Sequence, residues 1–234
     1  MSKRVVCFFD VDNTLIDDDR IVADLKTCLQ RELDAAQYKR YWEIFEERQE
    51  ECHHADYLGA LQCLCDEHPR EPHRTQIATY LLNYPLADRL FRQATEVLRH
   101  CRAWGTVVIL SDGDVVLQPH KIERSGLAEA VEGRFLVYAH KEKCFDDVMA
   151  RHPADHYVTI DDNVRILSEI KDCLKDRVTT IFVQQGHFAH DEQRLKRYPP
   201  ADASIKQIAD LLDYDFEKVQ ERGVKASTGA GTVI

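Results

Sequence analysis

Four short clusters carry most of the reactive chemistry in this chain: Asp10-Val11-Asp12-Asn13-Thr14, Ser111-Asp112-Gly113, His140-Lys141 and Asp161-Asp162. Brought together, they offer two acid pairs, a hydroxyl and an ammonium, a set suited to phosphoryl transfer. The carboxylate of Asp10 can attack phosphorus to form an aspartyl phosphate, dividing a difficult hydrolysis into two displacements. Asp12 can protonate the leaving oxygen and later deprotonate the attacking water. The obstacle is like-charge repulsion between carboxylates and phosphate. Magnesium held by Asp10 and Asp162 resolves it, because a hard cation binds oxygen ligands and bridges a phosphate oxygen. Ser111 and Lys141 then supply a hydrogen-bond donor and a positive charge as charge spreads over the phosphoryl oxygens.

The positioning elements are short apolar runs. Val5 to Phe9, Thr106 to Leu110, Phe135 to Ala139 and His156 to Ile160 each precede one cluster, and Val178 to Val183 is a fifth. They are β-branched or aromatic and apolar at consecutive positions, as strands buried on both faces tend to be. Helical patterns at Val115 to Arg124, Cys144 to Ala150 and Val164 to Leu174 alternate with the later runs. This predicts an α/β fold with a doubly wound, parallel, five-stranded sheet in the order 5-4-1-2-3. In such sheets ligands gather beyond the carboxyl ends of the strands, where all four clusters fall.

The stretch between Leu15 and Thr106 is too long for a simple crossover. Apolar residues recur there at helical spacing: Ile21, Leu25, Leu29 and Leu33, then Tyr38, Trp42 and Phe45, then Tyr57, Leu61 and Cys65, then Leu90, Ala94, Val97 and Leu98. Pro69, Pro72 and Pro85 punctuate the pattern. The expected division is a core domain over 1–16 and 101–220, a helical cap over 17–100 that closes over a substrate, and a fraying tail over 221–234.

Composition narrows the classes of function. The 234 residues carry 31 basic and 41 acidic side chains, a formal charge of −10, and 44% are hydrophobic, enough to fill a core and to exclude a disordered chain. No run approaches the roughly 18 apolar residues of a membrane-spanning helix, and the start lacks a signal-peptide core, so a cytoplasmic protein without a membrane partner is expected. Eight scattered cysteines read as thiols. The acidic balance lacks the basic stripe of a nucleic-acid binder, so no such partner is expected.

Taken together, the motifs resemble those of the haloacid dehalogenase superfamily of hydrolases, in the form with a helical cap between the first two motifs. The first is Phe8-Phe9-Asp10-Val11-Asp12-Asn13-Thr14-Leu15, the second Val108-Ile109-Leu110-Ser111-Asp112-Gly113, the third Lys141 and the fourth Thr159-Ile160-Asp161-Asp162. An Asp-x-Asp-x-Thr alone is a weak signal, whereas the ordered set of four is strong. The resemblance implies that Asp10 is the nucleophile and that Asp12 is the general acid/base and a metal ligand through its backbone carbonyl. It further implies that Asp162 is a metal ligand and Asp161 a second ligand or an outer support. The superfamily's dehalogenases and phosphonate-cleaving enzymes resemble the chain less, since they lack an aspartate at the place of Asp12. The expectation is a magnesium-dependent hydrolase of a small phosphate monoester. Alternatives are a non-catalytic regulatory protein that binds metal and phosphate, and a phosphotransferase or mutase.

Simpler readings compete at several positions. Asp10 and Asp12 could merely cap a turn. A calcium loop fails, because Leu15 stands where the tight-turn glycine belongs and Ile21 where the bidentate glutamate should be. A metal-binding Asp-x-Asp of a nucleotide-sugar transferase leaves Lys141 and Asp161-Asp162 unexplained. Lys143 competes with Lys141, which is nearer the strand end. Ser111 could bond only to the local backbone. Asp112 and Asp114 are unassigned. Cys52, His53, His54, Cys63 and Cys65 lack the paired spacing of a zinc site. Asp17-Asp18-Asp19 reads as a solvated linker, and the stripe of Tyr38, Trp42 and Phe45 as cap core.

Overall fold

The structure, a computed structural model, describes residues 4–52, 54–69 and 74–214. The expected tail over 221–234 lies outside them, as do His53 and Pro72. The first apolar run forms β1 (Val5–Phe9), every residue of which is buried. It pairs on one side with β2 (Thr106–Asp112) and on the other with β4 (His156–Asp161). β3 (Phe135–Tyr138) lies outside β2, and β5 (Val178–Val183) outside β4, all parallel. The expected order 5-4-1-2-3 is present, but the sheet has six strands rather than five. The additional strand, β6 (Ala203–Ile205), adds to β5 at the edge. Its Ala-Ser-Ile is too short and too weakly apolar to stand out as a run. The carboxylate of Asp202 fastens it by accepting the Thr180 N–H at 2.8 Å.

Strand side chains alternate between the two faces of the sheet. Val5, Cys7 and Phe9 join one apolar cluster, with Val97 and Leu98 of α5 (Ala94–Cys101) and Ile122 of α6 (Leu117–Arg124). Val6 and Phe8 join the other, with Val148 of α8 (Phe145–Arg151) and Ile166 and Ile170 of α9 (Val164–Leu174). The short α7 (Leu127–Ala130) follows α6, while α10 (Gly186–Ala189) and α11 (Glu192–Arg197) link β5 to β6. Both faces are therefore covered, which explains why the strands are apolar at consecutive positions.

Among the described residues, four α-helices fill the insertion before α5: α1 (Asp18–Glu32), α2 (Ala35–Cys52), α3 (Tyr57–Glu67) and α4 (Arg74–Asn83). They share a cluster built from Leu25, Leu29, Tyr41, Ile44, Phe45, Leu61, Leu64 and Ile77. The helical stretch thus divides: α1 to α4 bury one another, whereas α5 lies on the sheet. On α2 the most deeply buried aromatic is Tyr41, with Tyr38 and Trp42 half-buried beside it. Asp17-Asp18-Asp19 is not a solvated linker but a helix start. The Asp17 carboxylate accepts the Arg20 N–H at 3.0 Å, and Asp18 and Asp19 occupy the first turn, where the helix dipole favours acids.

The two connections into and out of the insertion run side by side. Ile16 and Leu90 form an antiparallel bridge, the Asp17 N–H donates to the Arg89 carbonyl at 2.8 Å, and the Phe91 N–H donates to the Leu15 carbonyl at 2.9 Å. Among the described residues, no helix is long and apolar enough to cross a membrane.

Candidate active site

β1 sits where the chain leaves the sheet centre toward β2 on one side and β4 on the other, and the crevice at that point opens at the strands' carboxyl ends. Asp10 follows β1 directly and is 8% exposed, its N–H donating to the Ile160 carbonyl at 3.0 Å. Its carboxylate is ion-paired with Lys141, whose Nζ also lies 2.7 Å from Asp161 and 3.9 Å from Asp112. Lys143 is exposed, so Lys141 is the lysine that reaches the carboxylates. Backbone contacts place it: the Lys141 N–H donates to Asp112 Oδ1 at 2.7 Å, tying the end of β3 to the end of β2. Burial opposes the ammonium charge, but Asp10, Asp161 and Asp112 overcome it and hold Lys141 protonated well above the usual lysine range.

Asp10, Asp161 and Asp162 bring carboxylate oxygens within 4.8 Å of one another, all from buried side chains. Burial pushes the Asp10 carboxyl up to about 6, against the pull of Lys141. Asp162 is raised well above the usual range by burial and then by repulsion from Asp161 and Asp10. Asp162 Oδ2 is buried without a hydrogen-bond partner. An orphaned carboxyl oxygen beside two more acids is the arrangement a hard divalent cation satisfies, so these residues fit magnesium. Asp161 is fixed separately by the Asn163 N–H, donated to its Oδ1 at 2.8 Å.

Asp12 stands apart from that trio. Lys121 Nζ lies 2.7 Å from Asp12 Oδ1 and 2.8 Å from Asp18, and Gln118 Nε2 donates to Asp12 Oδ2 at 3.2 Å. Desolvation pushes the Asp12 carboxyl up to about 6 despite Lys121, with Asp18 and Asp10 adding to the rise. Gln118 also donates to Ser111 Oγ at 2.8 Å, and Ser111 Oγ donates to the Asp112 carbonyl at 3.2 Å. The Ser111 hydroxyl is therefore engaged within the strand-end loop. Gly113 makes room for this network, because a Cβ there would meet Gln118 Cβ at 2.6 Å.

Beside Asp12 opens a cavity of about 170 Å³, walled on the helical side by Tyr57 of α3, by Tyr80 of α4 and by Tyr84, and on the sheet side by Leu117, Gln118 and Lys121 of α6. His120 Nε2 lies 2.7 Å from the Leu82 carbonyl, bridging α6 to α4 at its edge. Gln118 and Lys121 were not singled out from the sequence. Their spacing of three places them on one helix face shortly after Ser111-Asp112-Gly113, which was the available signal. No gathering of histidine and cysteine with metal-binding geometry occurs among the described residues.

A parallel sheet with a buried carboxylate at the end of its central strand, acids and a lysine at the neighbouring strand ends, and a helical insertion above them defines a hydrolase of the haloacid dehalogenase type. The chain belongs to the haloacid dehalogenase-like hydrolase family. It is 48% identical to a haloacid dehalogenase-like hydrolase from Burkholderia xenovorans LB400, over 92% of this chain and 98% of that one, with a TM-score of 0.87. More distant structures share the fold. The HAD-hydrolase YfnB from Bacillus subtilis, bound to magnesium, is 15% identical with a TM-score of 0.57, covering 91% of this chain and 100% of that one. The L-2-haloacid dehalogenase from Xanthobacter autotrophicus, with chloropropionic acid covalently bound, is 14% identical with a TM-score of 0.56, covering 91% and 98% respectively. The chain matches no protein-family model and no curated protein.

Proposed function

We propose that this hydrolase cleaves a small phosphate monoester through an aspartyl phosphate on Asp10. The observation that carries the reading is Asp12, an ionisable carboxyl raised to about 6 and held at the cavity by Lys121 and Gln118. Cleavage of a carbon–halogen bond expels halide and requires no acid at that place. An alkoxide leaving group does require one.

Asp10, Asp162 and the backbone carbonyl of Asp12 would hold magnesium, with Asp161 as a further ligand or a support. When bound, the ion offsets the carboxylate charge and polarises a phosphoryl oxygen. Asp10 attacks phosphorus in its ionised form. Lys141, already in contact with Asp10, faces the phosphoryl oxygens as charge develops there. Asp12 gives its proton to the departing oxygen and, ionised by that transfer, takes one from the water that hydrolyses the aspartyl phosphate. The cavity beside Asp12 receives the alcohol, and its helical wall excludes water during the first displacement.

The test is phosphate release with magnesium from a panel of monoesters, alongside halide release from 2-haloacids. Asp10→Asn is expected to abolish phosphate release, and Asp12→Asn to lower it about 10²- to 10⁴-fold. Full activity of Asp10→Asn, or halide release in place of phosphate release, would overturn the reading.

A further inference from the structure

The cavity that receives the alcohol also restricts what that alcohol can be. Its wall carries four carboxyl groups, Asp12, Asp18, Asp112 and Asp114, against a single ammonium, Lys121, and two imidazoles, His54 and His120. Lys121 is already committed, lying 2.7 Å from Asp12 and 2.8 Å from Asp18. Lys141, the other buried ammonium, is held by Asp10 and Asp161 on the nucleophile's side. Asp114 is fixed in place, its Oδ1 accepting the Val116 and Leu117 N–H groups at 2.8 Å and 2.7 Å. His120 Nε2 is occupied by the Leu82 carbonyl at 2.7 Å and His54 Nδ1 lies 3.4 Å from the Ala55 carbonyl. A second anionic group on the substrate would thus meet Asp18, Asp112 and Asp114, with both ammoniums already committed to acids.

The remaining surface is mostly carbon. Tyr57, Tyr80 and Tyr84 contribute rings, and Leu25, Leu81 and Leu117 contribute aliphatic surface. Aromatic faces suit both an apolar body and a cation. The volume of about 170 Å³ compares with the roughly 150 Å³ of an engineered apolar cavity that admits benzene.

We propose that this cavity selects phosphomonoesters whose alcohol carries no second anionic group and whose carbon body is no larger than about a single six-membered ring. The selection rests on the hydrolase reading above and deepens it.

The test measures kcat/KM with magnesium for phenyl phosphate, phosphocholine, phosphoglycolate and adenosine monophosphate. Phenyl phosphate and phosphocholine are expected to exceed the other two by at least about tenfold. Phosphoglycolate or adenosine monophosphate matching them would overturn the inference while leaving hydrolysis intact. Asp114→Asn keeps an oxygen to accept the Val116 and Leu117 N–H groups but removes a charge. It is expected to raise the ratio of phosphoglycolate to phenyl phosphate turnover about threefold or more, and an unchanged ratio counts against charge exclusion. If no ester is hydrolysed, the reading of the reaction fails separately. The cavity is then judged by calorimetric affinities of benzylphosphonate and phosphonoacetate. Tighter binding of benzylphosphonate supports the selection, and equal or reversed affinities overturn it.

Discussion

Lys121 and Asp12 show how a single pairing sets both geometry and proton affinity. Asp12 must be protonated when the leaving oxygen departs, whereas Asp10 must be ionised when it attacks. The Asp12 carboxyl is raised to about 6, so Asp12 should govern the alkaline limb of kcat/KM. Lys121 lowers the Asp12 value, while burial, Asp18 and Asp10 raise it. In Lys121→Met the lowering influence is gone and the raising ones remain. The alkaline limb is therefore expected to move to higher pH by about a unit, with kcat reduced because Asp12 loses an anchor. Lys121→Arg, which keeps the charge, should restore most of the original profile. A pH–rate profile identical in wild type and Lys121→Met would show that Lys121 does not act through Asp12.

Among the elements, the junction between insertion and sheet carries a compact polar knot. Tyr84 OH donates to Asp24 of α1 at 2.6 Å, Arg89 Nε donates to Tyr84 OH at 2.6 Å, and Arg89 also reaches Asp24 at 3.0 Å. This knot lies next to the paired connections at Ile16 and Leu90, where a movement of the helices over the sheet would hinge. The Tyr84 hydrogen bond, helped by Arg89 and Arg20, holds the Asp24 carboxyl below its usual range and outweighs the opposing effect of desolvation. A depressed folded-state value means stability that is present above the unfolded carboxyl's pKa and lost as pH falls through the folded one. Asp24→Asn is therefore expected to lower the melting temperature at neutral pH and to converge with wild type in acid. The loss should be no more than about 1 kcal/mol once solvent screening is considered. A constant difference across that range would assign the effect to packing rather than charge. This knot was invisible in the sequence, since Asp24, Tyr84 and Arg89 share no spacing and meet only through the fold. The strand-end motifs were legible for the opposite reason: in a parallel sheet, successive strand ends arrive at one edge, so residues far apart in the chain can be placed together from local pattern alone. β6, with a three-residue Ala-Ser-Ile, and the tyrosines of the cavity, drawn from separate segments, offered no comparable pattern.

For the whole molecule, the acid trio is a stability problem that a cation can resolve. Asp162 is raised well above its ordinary value by burial and by its acidic neighbours, so the folded protein binds a proton there more tightly than the unfolded chain does. Its contribution is fully favourable below the unfolded carboxyl's pKa and is lost as pH rises through the folded value. Without metal, Asp162→Asn removes that charge, so the variant is expected to melt above wild type at neutral pH, with a gap that widens as pH rises. A gain of about 1 kcal/mol corresponds to roughly 2–4 °C for a protein of this size. Magnesium should reverse the order. An ion that binds only the folded state at a hundred times its dissociation constant adds about 2.7 kcal/mol, and the Asn variant has lost the orphaned oxygen that would receive it. Melting curves of both proteins in chelator and in magnesium, at several pH values, read this without reference to any substrate. Equal magnesium-induced shifts in wild type and Asp162→Asn would place the cation elsewhere. A chelated variant less stable than wild type would show that Asp162 is already satisfied in the folded protein.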